Sequence, residues 1–229
     1  MRGKKRYSQV ERMAAKGGGS ETDRNFGSNS GRERLLTSRL GRKDGRIFDG
    51  DRGLDDLRAV GGRGRDKIVQ GGGGGRDGMR ASGGRGRDKI VQRGHTGRDE
   101  LNARGGGRRD TIRQVGGNGR DVLRTKGQGG RDQITQRGNK GRDQLAAFGH
   151  RGRDTIRQFG GGKRDHLYAK AGKGRDRARM KAGGGRDHLE LDVGPRSGWP
   201  RPCRSRPQPR WPQPRWPKSR WSRSQPCRS

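Results

Sequence analysis

The sequence predicts a largely disordered, low-complexity tandem-repeat protein, with a glycine-rich β-solenoid of 11-residue rungs as the ordered alternative. Three observations lead there: a composition poor in apolar residues, a repeat that recurs along most of the chain, and a single aliphatic position in each repeat.

Of 229 residues, 58 are Lys or Arg and 24 are Asp or Glu, which leaves a formal net charge of +34. Only 22% are apolar, 36% are charged and 47 are Gly. A chain of this kind has little apolar surface to set against the entropy of ordering its backbone. The charge excess calls for a polyanionic partner.

An Asp recurs every eleven residues from Asp44 to Asp187. From Asp66 onward each follows an Arg: Arg65, Arg76, Arg87, Arg98, Arg109, Arg120, Arg131, Arg142, Arg153, Arg164, Arg175 and Arg186. Two residues after the Asp stands an aliphatic residue (Ile68, Met79, Ile90, Leu101, Ile112, Leu123, Ile134, Leu145, Ile156, Leu167 and Leu189), with Ala178 the exception. Degenerate copies reach back to Glu33 and Leu35. Three regions follow: a basic N-terminal segment (1–43), the array (44–192), and a Pro/Arg/Trp-rich basic tail (193–229).

An eleven-residue period would align the aliphatic residues along one continuous helix. The glycines oppose it, because each interior Gly costs about 1 kcal/mol relative to Ala. A short turn capped by the Asp would be marginal without packing partners. In a solenoid, one or two aliphatic side chains per rung are set against the ordering of eleven residues, and this balance favours disorder.

The same features argue against catalysis: the Asp have no paired carboxylate in a pocket, and without a core nothing preorganises a site. Neither cofactor nor metal is expected, because His95, His150, His166 and His188 are scattered and Cys203 and Cys227 sit in the tail. No apolar run is long enough for a transmembrane segment, and no secretory signal is visible. The compartment stays open, with an intracellular site, nuclear or nucleoid-associated, favoured and the cluster Arg2, Lys4, Lys5, Arg6 as a weak localisation patch.

At 61–69 (GGRGRDKIV), 83–91 (GGRGRDKIV) and 116–124 (GGNGRDVLR) the chain resembles the calcium-binding nonapeptides of the repeats-in-toxin family. The resemblance implies a parallel β-roll with calcium in glycine-rich turns. Here the period is eleven rather than nine, and the residue before each Asp is Arg, whose guanidinium has no lone pair for a cation. In composition the chain is similar to hydrophilins, which implies a soluble stress-protective role.

The partner expected is nucleic acid or another polyanion, held without sequence specificity. The arginines preceding each Asp would contact phosphates through counterion release. In the tail, Arg210-Trp211, Arg215-Trp216 and Arg220-Trp221 pair a phosphate contact with an indole that can stack on a base. The same residue mixture suits an anionic membrane surface, and alternating Arg and Asp suggest self-association. The alternative functions are a structural or stress-protective repeat protein, hydrophilin-like or β-solenoidal, and the translation product of a repetitive DNA region without selected function.

Overall fold

The computed structural model describes residues 24–26, 31–37, 43–50 and 52–194. Over these residues the expectation of disorder is overturned. The chain forms a parallel β-solenoid of about seven turns, with strands from Arg24–Phe26 to His188–Asp192 and no helix among the described residues.

Each strand pairs in parallel with the strand 22 residues on, as in Ile90↔Ile112↔Ile134 and Leu101↔Leu123↔Leu145. One coil is therefore two repeats, which corrects the 11-residue rung, and successive repeats alternate between two sheets. The leucine sheet contains Arg52–Val60, Gly78–Gly86, Glu100–Arg108, Val122–Gly130, Gln144–Gly152, His166–Gly174 and His188–Asp192. The isoleucine sheet contains Arg63–Gly71, Lys89–Gly97, Thr111–Gly119, Gln133–Gly141, Thr155–Gly162 and Arg177–Lys181.

Strand alternation explains which residues turn inward. From Asp55 to Asp165 the second residue after each recurring Asp is buried: Leu57, Met79, Leu101, Leu123, Leu145 and Leu167 from one sheet meet Ile68, Ile90, Ile112, Ile134 and Ile156 from the other, whereas Ala178 is half-buried and Leu189 exposed at the C-terminal end. The fourth residue is also buried, and it differs between sheets. In the isoleucine sheet it is Gln70, Gln92, Gln114, Gln136 and Gln158; in the leucine sheet it is Ala59, Ala81, Ala103, Thr125, Ala147 and Ala169. A long side chain thus faces a short one across the interior, so the two sheets are complementary in size there.

The glutamines form a ladder along the axis. Gln114 Nε2 donates to Gln92 Oε1 (2.8 Å) and to Leu101 O of the opposite sheet (2.9 Å), and Gln114 Oε1 accepts from Gln136 Nε2 (2.9 Å) and Thr125 Oγ1 (2.7 Å). Buried amides paired in this way stiffen the core instead of weakening it. These bonds, the parallel backbone ladders and aliphatic contacts made both across the interior and along it offset the ordering entropy that aliphatic residues alone do not. Among the described residues, no helix is long and apolar enough to cross a membrane.

Candidate polyanion-binding surface

Each Arg-Asp pair lies at a corner, where the chain passes from one sheet to the other. There the two side chains diverge. Every Asp of the eleven-residue series from Asp55 to Asp176 is buried, at 0–4% exposure, while the twelve arginines that precede members of the series, from Arg65 to Arg186, are exposed. The dipeptide splits its charges across the wall of the coil.

The Asp side chains form two internal columns. Asp77 N–H donates to Asp99 Oδ1 (3.1 Å) and Asp99 N–H to Asp121 Oδ1 (3.1 Å); on the other column Asp88 N–H donates to Asp110 Oδ1 (2.9 Å) and Asp110 N–H to Asp132 Oδ1 (3.0 Å). Each carboxylate thereby closes the backbone of the preceding coil. Its second oxygen lies against the backbone of a corner glycine: an added Cβ on Gly116 would stand 2.5 Å from Asp121 Oδ2. That contact is why the position five residues before each Asp is Gly from Gly50 to Gly160.

Burial is the main influence on these carboxyls, pushing Asp99, Asp110, Asp132, Asp143 and Asp154 up to about 7 and Asp77, Asp88 and Asp121 to about 6. The backbone hydrogen bond opposes the rise, and for Asp99, Asp132 and Asp143 the flanking Asp in the column add to it. Because these carboxyls are pushed toward neutrality, protonation inside the coil would raise the net charge above the formal +34.

The arginines stack in two outward rows, one on each edge of the flattened coil. Arg65, Arg87, Arg109, Arg131, Arg153 and Arg175 form one; Arg76, Arg98, Arg120, Arg142, Arg164 and Arg186 form the other. Within a row the backbones repeat at the strand spacing, about 4.8 Å. Along the second row a groove of about 480 Å³ is lined by Arg98, Arg120, Arg142, Arg164, His166 and His188, among others. Along the first, a depression of about 470 Å³ has Gly130 and Gly152 between Arg109, Arg131 and Arg153. Glycine at these corners leaves the backbone open to an approaching anion.

Every sequence-predicted arginine of the array is therefore brought into one of two rows. Arg210, Trp211, Arg215, Trp216, Arg220 and Trp221 lie outside the described residues. The expected self-association through alternating Arg and Asp finds no support along the array, because its recurring carboxylates face inward. Sequence reasoning missed the inward role of the Asp and the Gln column. The signal for the column was present: Gln recurs at intervals of 22 residues from Gln70 to Gln158.

No family model, curated protein or solved structure matches the chain. The class that the geometry defines is a two-sheet parallel β-solenoid with a polar internal lattice and cationic edges.

Proposed function

We propose that this chain is a structural repeat protein: a stiff β-solenoid that holds a regular surface and performs no catalysis. The observation that carries this is the internal use of its polar side chains. The inward Asp and Gln bond to the neighbouring coil of the same chain, as Asp99 Oδ1 does to Asp77 N–H and Gln92 Oε1 to Gln114 Nε2, so the repeated chemistry serves the coil. A stress-protective role is compatible with the same rod.

A second reading, attachment to nucleic acid or another polyanion, is favoured by the two exposed arginine rows. Such binding would be non-specific and would weaken steeply with salt. Fractionation of the endogenous protein separates the two. A structural rod stays in its assembly after nuclease digestion, whereas release by nuclease and by raised salt would support the polyanion reading and count against a purely structural one.

A further inference from the structure

The outer face of the leucine sheet carries a cluster of rings near its C-terminal end. Phe148 lies 5.6 Å from Tyr168 and 6.2 Å from His150, measured between ring centroids, and His166 stacks on His188 at 4.9 Å and 20°. Phe148 and Tyr168 are half-buried and His150, His166 and His188 are exposed. Phe148 stands in register between Lys126 and Lys170, and Arg124 lies one coil before Ala146, the neighbour of Tyr168 in register. Lys170 is held by Asp192 (3.0 Å) and Glu190 stands next to Tyr168 in register, whereas Arg124 and Lys126 are exposed cations one coil before the rings and Arg151 is exposed next to His150 in sequence. The row from Arg120 to Arg186 borders the same face at the edge where His166 and His188 line the groove.

Resting on the polyanion reading above, we infer that this face is a binding platform for single-stranded nucleic acid, with Phe148 and Tyr168 stacking on unpaired bases while Arg124, Lys126, Arg151 and the bordering arginine row hold phosphates. Aromatic rings set among cations suit a ligand that offers both flat apolar faces and negative charge. Unpaired nucleotides offer both; a duplex hides its base faces, and a sulfated polysaccharide has none. His150 fits the platform because burial, with a contribution from Lys126, lowers its pKa and favours the neutral imidazole. On the opposite face the ring of Phe159 is already covered by Arg137 at 5.4 Å, which leaves the leucine sheet as the open aromatic face.

The test is a binding titration of the full chain at low salt with three probes: a single-stranded oligonucleotide, the same strand in duplex, and heparin. The double variant Phe148→Leu/Tyr168→Leu keeps apolar bulk on the sheet and removes the rings. It is expected to fold, since the column of Phe148 already accepts Arg104, Lys126, Lys170 and Asp192, and an unchanged circular dichroism melt confirms this. Single-strand affinity is expected to fall about tenfold per ring lost, with duplex and heparin affinities changed less than about twofold. Ultraviolet crosslinks from the single strand to peptides containing Phe148 or Tyr168 would support the same assignment. Equal losses on all three probes, or no loss on any, overturn the platform and leave the polyanion reading intact. If none of the three probes binds, the polyanion reading fails, and the platform with it.

Discussion

At the scale of the residue, the buried Asp decides much of the behaviour. Its Oδ1 closes the backbone of the preceding coil, while Oδ2 meets a glycine backbone. At Asp99, Oδ2 is buried against the Gly94 backbone with no hydrogen-bond partner among the described residues, an environment that penalises the charged form. The carboxyls thus bind protons more tightly when folded, at about 6 to 7, than at their ordinary value of 3.8. A raised folded pKa contributes stability that is complete below the unfolded value and is lost as the pH climbs through the folded one. The melting temperature should therefore fall between pH 4 and pH 8, steepest between about 5 and 7; a melting temperature that rises over that interval would contradict the burial of these groups. Substitution separates the two oxygens. Asp99→Ala leaves the buried Asp77 N–H without its acceptor and should cost about 1–3 kcal/mol by denaturant unfolding. Asp99→Asn keeps that acceptor and removes the titrating proton, so at pH 8 it should cost well under what alanine does.

At the scale of the element, the coil depends on polar pairing as much as on aliphatic burial. Gln114→Ala removes the acceptor used by Gln136 and Thr125, and equilibrium unfolding should show a loss of about 1–3 kcal/mol with the sheet content retained. Gly116→Ala places a methyl against the Asp121 carboxylate in a corner that cannot widen without breaking the ladder. It should destabilise more than alanine at Gly129, where an added Cβ meets nothing within 4 Å. The sequence made the repeat, the aliphatic position and the outward arginines legible, together with a solenoid as an alternative. It concealed the coil. Burial of Asp and Gln is unfavourable unless each finds a partner, and here the partner stands 22 residues away, a separation that an eleven-residue reading does not bring together. The alternation of Ile68, Ile90 and Ile112 with Met79, Leu101 and Leu123 marks the same doubled unit, but an eleven-residue alignment merges the two kinds of repeat.

At the scale of the whole molecule, stability should accrue coil by coil, as in other solenoids. Deleting residues 99–120 removes one complete coil and rejoins Arg98 to an Asp with every column intact. Deleting 99–109 removes half a coil. It sets Gln114 across the interior from Gln92 and breaks the glutamine ladder, although the eleven-residue repeat reads on unbroken. The whole-coil deletion should keep the β-sheet spectrum and melt cooperatively; the half-coil deletion should melt at a distinctly lower temperature, and equal melting would show that the working unit is eleven residues. The solenoid carries the arginines that precede its recurring Asp in two rows along its edges, a display that a disordered chain would not fix in space.

Order against disorder is most directly tested by amide hydrogen exchange of the full chain, followed by mass spectrometry. Protection running from about residue 52 to 192, shared by both sheets and including the Asp N–H groups of the internal columns, is the predicted result. Exchange at the rate of an unstructured peptide throughout the repeats would contradict it.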